Sequence, residues 1–265
     1  ELTQPQEDGV WWLGHASVLL QLDGNIILTD PVFSRRASPL PFLGPQRKTP
    51  PVLSVEQLHQ LDAVVISHNH YDHLDDATIR RILKRFPDVC CFVPLGLADW
   101  FRRRGAKRVV ELDWWQSFTW QGMTLTAVPA QHWSMRTPWN RNRSLWCGWV
   151  IEGRHHRFWF SGDTGYSPEL LLIPERLGQI DAAALPIGAY APRWFMAVHH
   201  MDPQSAVALW QQLGSPLAFP IHWGVFELAD EALDEPVQEL TDALDNLAPV
   251  NHSFRILKIG EYLSF

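Results

Sequence analysis

The chain has 265 residues, 46% of them hydrophobic and 19% charged, the composition of an ordinary globular protein. Its formal charge of -7 argues against a general nucleic-acid binder, and no run of about 18 apolar residues is present to span a membrane. Three cysteines, Cys90, Cys91 and Cys147, form neither a CxxC pair nor an even-numbered framework, so they read as small apolar side chains in a reducing, cytoplasmic compartment. No Pro/Gly/Ser-rich linker divides the chain, which reads as one domain over residues 1–265. It begins at Glu1 rather than Met, so the expectation includes trimming, a removed signal peptide among its forms.

"GVWWLGHASVLLQLDGNIILTDP" alternates and turns as a β-meander, with Asp23-Gly24 as a hairpin turn. "SVEQLHQL" predicts a short helix capped by Ser54, and "DAVVIS" a buried strand. "DDATIRRILKRF" predicts an amphipathic helix with Ile79, Ile82 and Leu83 facing inward. A strand "VCCFVP", a helix "LGLADWFRRRG" closed by Gly105 and a strand "RVVEL" follow. "MTLTAVPAQHW" and "LWCGWVIEG" predict antiparallel strands, and "RFWFSGD" a third. Helix "SPELLLIPERLG" has Pro168 in its first turn, and "DPQSAVALWQQLG" has Asp202 as cap with Pro203 behind it. "DAAALPIGA" and "PLAFPIHWG" read as strands, "DEPVQELTDALDNL" as a helix, and "FRILKIGEYL" as a closing strand pair. Two similar halves of this kind predict two mixed sheets packed face to face with helices outside, an α+β and α/β mixture.

Charge is placed unevenly. Residues 80–108 hold nine basic side chains (Arg80, Arg81, Lys84, Arg85, Arg102, Arg103, Arg104, Lys107 and Arg108) against Asp88 and Asp99. Apolar Leu95, Leu97, Trp100 and Phe101 stand beside them, so the segment reads as a dock for an anionic membrane surface.

Residues 68–73 read HNHYDH and directly follow "DAVVIS". A surface loop gains nothing from clustered imidazoles, and a core cannot satisfy them without specific partners. In an extended loop His68, His70 and Asp72 point one way and His73 the other. His132, Asp163 and His222 are single polar residues where other apolar strands stop. Imidazole and carboxylate without thiolate suit Zn²⁺, with Fe or Mn as alternatives, and seven ligands suit two ions sharing a carboxylate. His15 and Asp30, at the ends of the first strands, are placed to orient ligating histidines. His200 in "VHHMDP" is a candidate beside the leaving group, with His199 less favoured. Tyr190 and Arg193 in "GAYAPRW" are candidates to line the cleft, Arg193 holding a phosphate by its planar fork. His59, His155, His156 and His252 read as surface residues.

HxHxDH with a later His, Asp and His resembles the metallo-β-lactamase fold. Within it, "GHASVLLQLDG", "ILTDPVFSRRASP", "ISHNHYDHLD", "VVELDWW", "SGDTGY", "PIGAYAPRWFM" and "IHWG" resemble the N-acylphosphatidylethanolamine-hydrolysing phospholipase D family, over residues 10 to 260. The resemblance implies a four-layer αββα sandwich with two zinc ions in the cleft between the sheets. One is then held by His68, His70 and His132, the other by Asp72, His73 and His222, with Asp163 bridging. It further implies a membrane phospholipid substrate, and hydroxide between the ions attacking phosphorus to give phosphatidic acid and an N-acylethanolamine. Asp72, Asp163 and His200 then carry the chemistry. The animal members have an N-terminal extension that is not in this sequence. Alternatives are a two-metal hydrolase of a soluble lactone, cyclic nucleotide or other diester, and a metal-bearing binding protein with little turnover. The sequence leaves the oligomeric state open, a homodimer included, and places the protein in the cytoplasm or against the inner membrane face.

Overall fold

The computed structural model of the protein describes residues 7–247 and 253–265, so His252 lies outside the described residues. The meander forms as β1 (Gly9–Gly14), β2 (Ser17–Leu22) and β3 (Asn25–Thr29). Asp23 and Gly24 both have positive φ, 49° and 78°, as the tight hairpin turn requires. "SVEQLHQL" condenses to one 3₁₀ turn, Val55–Gln57, where Ser54 and Gln57 form a capping box. β4 (Ala63–Val65) precedes α1 (Asp76–Arg85), whose cap Asp75 accepts from the Ala77 N–H and whose Ile79, Ile82 and Leu83 are buried.

β5 (Cys90–Pro94), a short α2 (Ala98–Arg102) and β6 (Arg108–Leu112) complete the first half. The helix expected from Leu95 starts three residues later, because Leu95 bonds back to Leu112 and Gly96 has a φ of 92°. A strand that the sequence reading missed, β7 (Ser117–Trp120), pairs with β8 (Met123–Val128); its residues are largely exposed, so no apolar run announced it. β9 (Gly148–Glu152), β10 (Arg157–Phe160), α3 (Leu172–Leu177) and β11 (Ala182–Pro186) follow, then α4 (Arg193–Met196) and α5 (Pro203–Gln212). β12 (Leu217–Ile221) and α6 (Glu235–Asp245) precede β13 (Tyr262–Ser264). The expected closing pair is thus one short strand. Phe254 makes only an isolated bridge to Ala218, and the chain between turns without a ladder.

Seven strands in the order β13-β1-β2-β3-β4-β5-β6 form one sheet, and six in the order β12-β11-β10-β9-β8-β7 form the other. β3 to β6 run parallel, as do β10 to β12. Between the sheets Trp12, Val18, Ile27 and Phe92 pack with Leu125, Trp149, Phe158 and Phe219. Ile79, Ile82 and Phe101 close the outer face of the first sheet, and Ile173, Leu209, Trp210 and Leu240 that of the second. These are four layers, αββα. Among the described residues no helix is long and apolar enough to cross a membrane.

Candidate metal centre

Polar side chains placed at the ends of β4, β8, β10 and β12 converge at one edge of the sandwich. His68 Nε2 stands 2.8 Å from His70 Nδ1, which is 3.2 Å from His132 Nε2. A second group gathers around Asp72 Oδ2, with the Nε2 atoms of His73 and His222 both at 3.3 Å. Asp163 Oδ2 lies between the groups, 3.0 Å from His73 Nε2, 3.1 Å from His222 Nε2, 3.9 Å from His68 Nε2 and 3.8 Å from His132 Nε2. Asp72 does not point with His68 and His70 as extended alternation predicts. The loop is a turn, with the N–H groups of His73 and Leu74 both donating to the His70 carbonyl, and it swings Asp72 to the side of His73.

The far nitrogens determine the tautomers. His73 Nδ1 donates to Asp30 Oδ2 at 2.7 Å, and His132 Nδ1 donates to the His199 carbonyl at 3.0 Å. The Ser67 hydroxyl donates to Asp30 Oδ2, so it accepts from His68 Nδ1 at 2.9 Å. His68 and His132 therefore turn a bare lone pair inward, and His73 would do so once metal displaces the proton that Asp163 and Asp72 hold on its Nε2, the arrangement that partners behind a ligating histidine produce. Where no proton lies between them, lone pairs converging at about 3 Å repel unless a cation sits among them. The buried His70 Nε2, Asp163 Oδ1, His200 Nδ1 and His222 Nδ1 have no hydrogen-bond partner. Two groups of metal-competent donors, His68–His70–His132 and His15–Asp72–His73–His222, are each tight enough to hold an ion. The donor set fits divalent metal.

Burial, reinforced by neighbouring histidines, holds His68 well below the ordinary imidazole range. His132 is also held well below that range, with burial the dominant cause. His70 is pushed down to about 4, mainly by burial. His222 behaves oppositely: burial disfavours its charge, but the Asp163 carboxylate overcomes that and lifts it to about 9. Asp163 is held well below the usual carboxylate range, since the adjacent His222 and His73 outweigh its burial.

Backbone strain concentrates here. His15, Asp30 and His222 have φ of 54°, 32° and 62°, and a non-glycine residue so placed costs roughly 1–3 kcal/mol. His15 Nε2 lies 3.0 Å from Asp72 Oδ2, and its ring meets that of His222 at 4.2 Å. His15 thus backs a carboxylate rather than a histidine. Gly162 has a φ of 60°, and a Cβ there would come within 2.5 Å of Ser67 Cβ, closing the space that the Ser67–Asp30 contact needs.

Above the donors opens a cleft of about 370 Å³, with His70, Asp72, Asp163, His200 and His222 on its floor. Its walls are mostly apolar, including Trp133, Met135, Pro138, Met196 and Leu228. The His200 ring is 5.0 Å from His132 and 5.3 Å from His222, and burial pushes its pKa down to about 3. Tyr190 and Arg193 stand apart from this cleft. Tyr190 is buried, and Arg193 stacks over it at 4.4 Å while its guanidinium is engaged by Asp202, Gln204 and Glu239. With its fork so occupied, Arg193 is not poised for a phosphate. His59 and His155 are exposed, and His156 leans on Asp8. The sequence reading also missed Ser67 and Arg136. Arg136 Nη1 donates to the carbonyls of Asn69 and Leu74, clamping the HNHYDH turn, yet nothing in its local sequence marks it.

A β-lactamase superfamily domain matches residues 25–223. An N-acyl-phosphatidylethanolamine-hydrolyzing phospholipase D 1 from Caenorhabditis elegans is 42% identical, over 94% of this chain and 74% of its own length. The chain belongs to this family. The mitochondrial N-acyl-phosphatidylethanolamine-hydrolyzing phospholipase D of Saccharomyces cerevisiae is 33% identical over 86% of this chain, which spans half the yeast protein. Among solved structures, a possible metal-dependent hydrolase from Veillonella parvula superposes with a TM-score of 0.80, covering 98% of this chain and all of that one. At 17% identity that is a likeness of fold alone. Family membership and donor set together make the chain a metal-dependent hydrolase of the metallo-β-lactamase superfamily.

Proposed function

We propose that this protein is a dinuclear zinc phosphodiesterase of phospholipase D type, hydrolysing N-acylphosphatidylethanolamine-like lipids to N-acylethanolamine and phosphatidic acid. The observation that carries the reading is Asp163 Oδ2, one carboxylate oxygen within 4 Å of imidazole nitrogens from both donor groups. His68, His70 and His132 would hold one ion, Asp72, His73 and His222 the other, and Asp163 both. Nitrogen and oxygen donors without thiolate favour zinc, with Fe or Mn as alternatives. When bound, two such ions supply a nucleophilic water at neutral pH and positive charge for the phosphoryl oxygens.

The chain's own residues do the remaining work. Asp30, held by the Ser67 N–H and hydroxyl, keeps His73 and, through Ser67, His68 in the ligating tautomer. Burial disfavours a charged His200, so the ring would offer the departing oxygen a hydrogen bond, and the proton that oxygen takes up would be the one given up by the attacking water. The apolar walls exclude bulk water and suit the glycerol and acyl portions next to the phosphate. The lipid substrate rests on what the worm and yeast relatives are named for, together with those walls. Free, buried Cys90, Cys91 and Cys147 suit a reducing compartment, in keeping with a cytoplasmic protein that visits the inner membrane face.

The test is hydrolysis of N-acylphosphatidylethanolamine by zinc-loaded protein in ¹⁸O-labelled water, with products read by mass spectrometry. Label in phosphatidic acid is expected, since attack falls on phosphorus. Label in the N-acylethanolamine would overturn the mechanism. Turnover of a soluble diester with none of the lipid would favour the soluble-substrate reading.

A further inference from the structure

The basic segment 80–108 is poorly suited to dock a membrane. Phe101 and Leu97 are buried, and Trp100 is half-covered with Arg104 stacked on it at 3.5 Å. Arg80 and Arg104 pair with Asp76, Arg81 with Glu56, Arg102 with Asp99 and Lys107 with Asp88. Of the four apolar residues there, only Leu95 is exposed.

The four most exposed aromatics lie on other segments. Trp139 and Trp194 are each 83% exposed, Phe42 75% and Phe195 63%. They come from three separate segments, 31–50, 131–147 and 189–201, each of which also supplies a wall of the cleft: Ala37 and Pro45, Pro138, and Met196. Trp139 adjoins Pro138, Trp194 and Phe195 directly precede Met196, and Phe42 stands between Ala37 and Pro45, so each aromatic flanks a wall residue of the cleft in sequence. In a chain whose acidic residues outnumber its basic ones by 29 to 22, these three segments contain eight lysines and arginines and no aspartate or glutamate. Arg35, Arg141 and Arg143 are exposed. Lys48 and Arg193 pair with acidic residues outside these segments, so the charge on offer is that of Arg35, Arg141 and Arg143. Exposed tryptophans beside exposed arginines are the pairing that settles at the headgroup level of a bilayer.

We propose that this aromatic and basic rim docks the protein on an anionic phospholipid bilayer, presenting the cleft to headgroups in place. The inference rests on the lipid reading of the site, because a long-chain diester leaves its bilayer only at large cost and the mouth must come to it. Trp139, Trp194 and Phe42 enter the boundary between headgroups and chains, while Arg35, Arg141 and Arg143 meet lipid phosphates. Binding of this kind weakens with salt.

The experiment is co-sedimentation of the full chain with phosphatidylcholine vesicles, with and without phosphatidylglycerol, beside hydrolysis of bis(p-nitrophenyl) phosphate. The wild type should bind the anionic vesicles and weaken as salt rises. Trp139→Ser with Trp194→Ser should lower vesicle affinity about tenfold or more while leaving the soluble diester rate within about twofold. Arg35→Glu with Arg143→Glu should remove most of the salt dependence, and Arg102→Glu with Arg103→Glu should change little. Three results would overturn the proposal: no vesicle binding by the wild type, wild-type binding by the double tryptophan variant, or a dimer in analytical ultracentrifugation that the same two substitutions dissociate, since a second copy would then cover the rim. Failure of the site reading looks different, as loss of the soluble diester rate in the wild type with vesicle binding intact.

Discussion

His68, His70 and His132 offer three neutral imidazoles and no charge of their own, whereas Asp72, His73 and His222 surround a carboxylate that His15 supports from behind. The first group is held neutral by burial. In the second, His73 and His222 are lifted despite burial by Asp163. Two divalent ions set against only Asp72 and Asp163 would leave net positive charge on the cleft floor, suited to a phosphodiester anion. The contrast also implies unequal grip: the group with its own carboxylate should bind metal more tightly than the all-imidazole one.

Asp30 is the largest lever on this contrast, because it stands behind both groups, reaching His73 directly and His68 through Ser67. Asp30→Asn should weaken both ions, at the strong end of the 10- to 100-fold range typical for partners behind metal ligands. Isothermal titration of metal into the stripped protein reads it, and an effect confined to one ion would break the shared-support picture. His15 touches only the second group, so His15→Gln should loosen one ion about tenfold and leave the other unchanged. Equal loosening of both would show that the groups are not separately supported.

The smallest effect is on the metal-free protein, read as melting temperature against pH. His70, at about 4 folded against 6.5 unfolded, contributes stability that is present above pH 6.5 and lost as pH falls toward 4. His222, at about 9 folded, contributes stability that is complete below pH 6.5 and lost as pH rises through 9. The first group thus shapes the acid limb and the second the alkaline limb. His70→Gln should shallow the former and His222→Gln the latter.

Most of the fold was legible because its strands are apolar runs bounded by turn residues, and Asp75, Ser167 and Asp202 cap where the pattern breaks. β7 was hidden because an exposed edge hairpin has no apolar signature, and the closing pair was overread from a β-rich stretch that mostly turns. HNHYDH announced itself by composition. The direction of Asp72 did not, since it depends on a turn closed by backbone bonds and clamped by Arg136 from a distant loop. The expected role of Arg193 gave way for a similar reason: its carboxylate partners Asp202 and Glu239 approach from α5 and α6, and local sequence does not show that. The membrane segment was chosen by its local charge and the apolar residues beside it, whereas the burial of Leu97 and Phe101 and the pairing of its arginines redirect attention to the cleft mouth.

The central claim is a pair of metal ions joined by Asp163, and elemental analysis of the purified protein beside its Asp163→Ala variant tests it most directly. The account predicts close to two metal equivalents per chain in the wild type. The variant should lose both ions, or nearly all activity, because neither group keeps a complete donor set without the shared oxygen. A single tightly held ion in the wild type, with an unchanged rate in the variant, would contradict it.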